Sequence, residues 1–364
     1  MREESRDMFS QSKFCIVLGL LATMACSCMT TTDTSLNLTL KWEKLPPIPD
    51  PSGFGSPFAG VLNDKLIVAG GANFPDAPPW EGGKKLWHDS IFVLSEPTGT
   101  WKKSGTLPRP MGYGVSITTP RGIVCIGGSD AVQHYRDVFL LEMIGDEVRS
   151  KPLASLPRPL SYSSGALLGN IIYVAGGTEE ATATNTLNNF WALDVSEVKP
   201  VWHEIEPCPG PSRMLGVAAA IDGAFYFGGG TSLTGDAAGK PVRKYLTDMY
   251  RYQPGAGWKR VADMPRPAVA PPFPAPSIGK STFLVLSGDD GTKLGFQPPG
   301  AHPGFAKDIL AYDTKTDSWK SIGEVPLTQV TVPAVHWRGR YVLPNGEIRP
   351  GVRTPDVWSF RASE

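Results

Sequence analysis

The stretch Ile171-Ile172-Tyr173-Val174-Ala175-Gly176-Gly177 is a β-branched, aromatic run closed by a glycine pair. It reads as a short buried strand running into a tight turn. Near-copies recur along the chain: Lys65-Leu66-Ile67-Val68-Ala69-Gly70-Gly71, Gly122-Ile123-Val124-Cys125-Ile126-Gly127-Gly128 and Ala224-Phe225-Tyr226-Phe227-Gly228-Gly229. Two weaker copies follow, Phe283-Leu284-Val285-Leu286-Ser287-Gly288 and Tyr341-Val342-Leu343-Pro344-Asn345-Gly346. The second member of each pair is Gly71, Gly128, Gly177, Gly229, Gly288 and Gly346 in turn, a near-even spacing from one end of the chain to the other.

Each unit carries the rest of a four-stranded sheet. A turn dipeptide such as Asn63-Asp64, Gly169-Asn170 or Asp222-Gly223 precedes each glycine-pair strand and suits a two-residue hairpin. A third strand follows a variable loop, as in Ser90-Ile91-Phe92-Val93-Leu94 or Phe190-Trp191-Ala192-Leu193, and the fourth often starts with Trp: Trp101, Trp202, Trp258 and Trp319. A period near 50 with glycine pairs is the signature of a kelch propeller. The last unit stops after its third strand, and an unused fourth strand, Leu40-Lys41-Trp42-Glu43-Lys44-Leu45, lies at the other end of the chain. The expected fold is therefore all-β: one six-bladed kelch-type β-propeller over residues 38–364. The N-terminal strand completes the last blade and closes the ring, hiding the open sheet edges.

Composition agrees. Of 364 residues, 40 are Gly and 35 Pro. Both counts exceed the shares usual in globular chains, as many short strands and tight turns require. Lys+Arg and Asp+Glu are both 35, so the net charge is zero. No broad nucleic-acid-binding surface is expected of such a chain. The start of the chain stands apart. Residues 1–28 read as a signal peptide: a mixed-charge segment, then an apolar run from Phe14 to Ala25, too short to span a bilayer. Plain cleavage is one reading, and lipid attachment at Cys26 or Cys28 is the other. Both place the mature protein in the periplasm or outside the cell. Cys125 and Cys208 are too few for a disulfide framework. No Cys or His pair has zinc-ligand spacing, so no metal site is expected.

Repetition also filters for function. Asp89, Asp137, Asp248, Asp308 and Asp356 precede third strands and are expected to bond nearby backbone N–H groups; the repeated Trp residues are expected to pack between blades. Departures from the repeat are the better candidates. In such a ring the loops between strands two and three share a face with the blade-to-blade loops, and that face receives the insertions at 72–87, 230–244 and 289–306. The sixth unit departs most, with Glu347 and Arg353 on one Gly- and Pro-stiffened loop. A carboxylate constrained beside a guanidinium can act as a base, and the guanidinium can take a substrate carboxylate in a two-pronged contact. The competing reading is a surface turn with an incidental ion pair. Arg109, Arg158, Arg213 and Arg266 gather on the same face and favour a small anionic ligand, with structure explaining some of them. Tyr113 follows closely and offers a hydrogen bond or a sugar-stacking face.

The segment Asn345-Gly346-Glu347-Ile348-Arg349-Pro350-Gly351-Val352-Arg353-Thr354 resembles the Asn-Gly-Glu-x-x-Pro-Gly-x-Arg-Thr motif of the bacterial N-acetylneuraminate epimerases, or sialic acid mutarotases. Phe58-Ala59-Gly60-Val61, Ala69-Gly70-Gly71-Ala72-Asn73-Phe74, Glu81-Gly82-Gly83-Lys84-Lys85, and Ser104-Gly105-Thr106-Leu107 with Tyr113-Gly114-Val115-Ser116 are similar to that family too. The motif falls mid-chain in the enterobacterial members and at the end here, so the resemblance is to a cyclically permuted branch.

The resemblance implies cofactor-free interconversion of the α and β anomers of N-acetylneuraminate, an acidic sugar, by general acid–base ring opening. Glu347 would take the anomeric proton and Arg353 would hold the carboxylate. Arg213, Arg109, Tyr113, Asn73, Lys84, Lys85 and Asn345 would supply the binding shell. The alternatives are a non-catalytic propeller binding a carbohydrate or protein, and a mutarotase of another acidic sugar. An oxidase of the galactose-oxidase type lacks its Cys and His here, and a sialidase lacks its Ser-x-Asp-x-Gly-x-x-Trp boxes.

Overall fold

A computed structural model describes residues 38–363. The signal-peptide and lipid-attachment expectations fall outside the described residues. Six four-stranded antiparallel sheets form the six blades of a propeller, and no α-helix occurs among the described residues. The sixth sheet joins Val335–Trp337, Arg340–Pro344 and Val357–Ser363 to Thr39–Leu45. Thr39 faces Ser363 and Leu45 faces Val357 in that closing pair, so the strand from the far end of the chain completes the last blade as expected.

The second strands Gly122–Ile126, Ala224–Gly228 and Thr282–Leu286 are buried at every position, and those of the other three blades at all but one, because each sheet is covered on both faces by its neighbours. That is why they read as continuous apolar runs instead of alternating ones. Six clusters of buried residues lie one at each blade interface. Phe58 and Ile67 meet Ile123 and Phe139 between blades one and two, and Leu45 and Trp337 meet Leu66 and Val68 where the ring closes. The fourth-strand tryptophans fasten these interfaces. The indole N–H groups of Trp101, Trp202, Trp258 and Trp319 donate to Pro46 O, Ala154 O, Glu206 O and Ala262 O of the preceding blade, at 2.8–3.0 Å.

The paired turn residues carry positive φ in every blade: 66° and 93° at Gly70 and Gly71, 67° and 106° at Gly176 and Gly177, 66° and 112° at Asn345 and Gly346. In blade four the pair is Gly229 and Gly230, one residue later than the sequence spacing suggested; Gly228 is the last residue of its strand. Three consecutive glycines hid the register there.

A second periodic feature lies nearer the axis. Ser56, Tyr113, Tyr162, Leu215, Ala270 and Thr331, one in each blade-to-blade loop, all have φ between 47° and 62°. Their amides form a closed ring of six hydrogen bonds, each N–H donating to the carbonyl of the ring residue one blade earlier, with Ser56 donating to Thr331. Non-glycine residues adopt this conformation only when the surroundings impose it. Here the imposing element is the ring, which fixes where six side chains leave the axis. Below it, Phe273 of an enlarged fifth loop packs into the core cluster of blades two and three. The gap between Phe273 and the ring residues has room for no more than about one water, so Phe273 narrows the axis below the ring.

Candidate active site

The loop after the second strand of blade six folds into a small hairpin, Glu347–Arg349 against Val352–Arg353, in which Glu347 and Arg353 are directly paired. Pro350 and Gly351 make its tip. Gly351 has φ 80°, and a Cβ there would lie 2.6 Å from Pro79. Only glycine fits this turn. The Glu347 backbone is held on both sides, its N–H donating to Val330 O at 3.0 Å and its carbonyl accepting from Val330 N at 2.9 Å. The hairpin is thus bolted to the loop that carries Thr331 of the axial ring.

The side chains follow from that frame. Glu347 Oε1 accepts from Gly351 N at 2.7 Å, and Oε2 lies 3.4 Å from the Arg353 guanidinium. Both are sheltered, with side-chain exposures of 15% and 4%. The guanidinium stacks over Phe74 at 4.8 Å and donates to the Tyr113 hydroxyl at 3.3 Å; its Nε and one terminal nitrogen are buried without partners. Burial works against its charge, but Glu347 and Tyr113 hold Arg353 above its ordinary pKa. Lys85 Nζ donates to the same Tyr113 hydroxyl at 3.0 Å and lies over the Tyr113 ring at 4.8 Å. These groups line a cavity of about 510 Å³ on the axial face, joined by Tyr162, Glu180 and Arg243. A second, more apolar lobe of about 630 Å³ adjoins at Glu347, walled by Trp80, Phe296 and Phe305. Carboxylate, guanidinium, ammonium and phenol therefore converge on one half-open, net cationic space, which suits a small anion with an acid-labile or base-labile bond. Among the described residues no cluster of His, Cys, Asp or Glu could hold a metal ion.

The other sequence candidates lie elsewhere. Arg213 is fully buried and binds Asp248 at 2.5 Å, with further bonds to Gly229 O, Asp248 O and Pro211 O, so it does not reach the cavity. Arg109 pairs with Asp137 at 3.1 Å and stacks on Tyr135. Arg266 pairs with Asp308 at 2.7 Å. These are one repeated latch, an Arg before the first strand gripping an Asp before the third. It corrects the expectation that Asp137, Asp248 and Asp308 serve local turns. In blade six Gln329 takes the arginine's place, donating to Asn345 O and Asp356 O. Asn73 is buried, bonded to Asp50 and His88; Lys84 is exposed outside the cavity lining; Asn345 is buried at the turn before the hairpin.

Phe74, Tyr162 and Arg243 were missed. Tyr162 had a signal: it stands as far ahead of Gly177 as Tyr113 does of Gly128, and so occupies the same ring position one blade on. Burial, then the neighbouring Tyr113, push the Tyr162 phenol up to about 12, with Ser129 and Arg243 acting in the opposite sense. A folded-state value above the ordinary one gives stability that is full below pH 10 and lost as pH rises from 10 through 12. The shift corresponds to about 2–3 kcal/mol. Urea unfolding across that range should therefore show a shallower alkaline loss in Tyr162→Phe than in wild type.

Known proteins are similar to part of the chain. The family model of N-acetylneuraminate epimerase matches residues 8–149. The N-acetylneuraminate epimerase of Yersinia enterocolitica is 29% identical over 227 residues, 56% of each chain. Over these stretches the chain is similar to the N-acetylneuraminate epimerases. The Haemophilus influenzae protein of that name is 28% identical over 227 residues, 56% of this chain and 57% of its own. The Escherichia coli K12 protein is 38% identical over 99 residues, 25% and 27% of the two chains. The matched stretches span about half the length of the Yersinia and Haemophilus relatives. Residues 8–149 contain Phe74, Lys85 and Tyr113; Glu347 and Arg353 come from the opposite end of the chain and meet them because the ring closes.

Proposed function

We propose that the protein interconverts the α and β anomers of N-acetylneuraminate by opening and reclosing the sugar ring. The observation that carries this reading is the rigid Glu347–Arg353 pair facing a cationic cavity of sugar size. The epimerase relatives support it. Arg353, which lines the cavity, receives the C1 carboxylate in a charge-assisted contact. That contact orients the anomeric carbon toward Glu347, whose carboxylate removes the proton from the anomeric hydroxyl as the ring C–O bond breaks. Lys85 and Arg243 add positive charge that favours an anion on arrival. The open keto form turns its other face to the ring oxygen and closes. Mutarotation already proceeds unaided, so a placed base contributing about 10²–10⁴ in rate is a sufficient catalyst.

The test is proton NMR of N-acetylneuraminate released as the α anomer by a sialidase, followed with and without the protein. Conversion much faster than in buffer is the expected result. A wild-type rate equal to the buffer rate, with the sugar still binding, would leave a carbohydrate-binding propeller instead.

A further inference from the structure

We propose that Tyr113 is the general acid of this site, delivering the proton that the departing ring oxygen must gain; this rests on the mutarotase reading above. A tyrosine hydroxyl has one proton to give and two lone pairs that accept. Lys85 Nζ at 3.0 Å and the Arg353 guanidinium at 3.3 Å are both obligate donors, so they occupy the accepting side of the Tyr113 oxygen. Its own O–H must then point elsewhere. Among the described residues no acceptor takes it, and the direction left open is the cavity that Tyr113 lines.

The placement matches the chemistry. Glu347 Oε2 and the Tyr113 oxygen flank a single guanidinium nitrogen, at 3.4 and 3.3 Å. A ligand whose carboxylate sits on Arg353 is thereby brought close to both a base and an acid. The balance closes without a cofactor. Glu347 takes the anomeric hydroxyl proton, and that O–H pair forms the new C=O bond. The ring C–O bond breaks with its electron pair going to the ring oxygen, which takes the Tyr113 proton. The products are the open keto acid, a protonated Glu347 and a Tyr113 phenolate held by two cations. Reclosure runs the same transfers backward on the other face of the carbonyl. The keto-acid plane rocks about the line between its carboxylate and carbonyl oxygen, and the lobe adjoining at Glu347 gives the swinging carbon chain room. The axial ring is what makes the placement rigid, since Tyr113 leaves it at φ 62° with its N–H on Ser56 O.

Tyr113→Phe keeps the ring against Tyr162 and removes only the hydroxyl. The expected result is a fall in kcat for anomer conversion of about 10²–10⁴ with KM within about twofold of wild type. Added imidazolium should restore rate in proportion to its concentration in this variant and not in wild type. Lys85→Met, measured beside it, should lower kcat without rescue by imidazolium, because the phenol that donates is still present. An unchanged kcat in Tyr113→Phe, or rescue of Lys85→Met in its place, would overturn the assignment while leaving the mutarotase reading intact. A wild-type rate no faster than buffer would remove both.

Discussion

Glu347→Gln is expected to bring anomer conversion down to the spontaneous rate, a loss of about 10²–10⁴ for a positioned base. The amide is nearly isosteric and its oxygen can still accept from Gly351 N, so the hairpin that pairs residues 347 and 353 should keep its shape. What disappears is the ability to take a proton. The substitution also removes a negative charge beside Arg353, which leaves the guanidinium more available to a substrate carboxylate. The variant should therefore bind the sugar as well as wild type or better while failing to turn it over. NMR of the freshly released α anomer reads the rate, and titration calorimetry reads the binding. A Glu347→Gln protein that converts anomers at the wild-type rate would show that the carboxylate is a structural ion pair.

Arg213→Met is expected to destabilise the fold by about 3–5 kcal/mol, because it strands a buried carboxylate with no counter-charge. Asp248 would lose its 2.5 Å partner, and the carbonyls of Gly229, Asp248 and Pro211 would each lose the bond Arg213 donates. The double variant Arg213→Met, Asp248→Leu should recover much of that stability, since replacing both members of a buried pair with apolar groups is often neutral. Urea unfolding of the singles and the double gives the cycle. The folded fraction of Arg213→Met should convert anomers at the wild-type rate, because Arg213 does not line the cavity. Wild-type stability combined with lost activity would contradict the latch and return this arginine to the site.

The latch shows why some readings carried over and others did not. The glycine pairs and the fourth-strand Trp residues recur in sequence with one job in every blade where they occur, and the third-strand Asp grips an arginine in three blades while Asp356 pairs with Lys44. A repeated residue is therefore legible as structural. What the Asp does was not legible. Its partner is an arginine 42 residues away for Asp308 and 35 away for Asp248, and local turn chemistry was the only interaction visible over short spacing. The arginines were ambiguous for the same reason: a cation on the face of the site is drawn the same way in sequence whether it grips a neighbour or waits for a ligand.

The sequence by itself determined the ring. Six near-equal units, with a missing last strand matched by a spare first one, admit one closed arrangement because an open sheet edge would leave a row of backbone groups unpaired. It also determined which loop departs from the repeat, and so drew attention to Glu347 and Arg353. Only the tertiary structure decided who shares the cavity with them. The Arg353 bond to Tyr113 joins residues 240 apart, and no local pattern encodes it. It exists because ring closure brings blade six beside blade one, and because six left-handed residues hold the loops around the axis at a fixed angle.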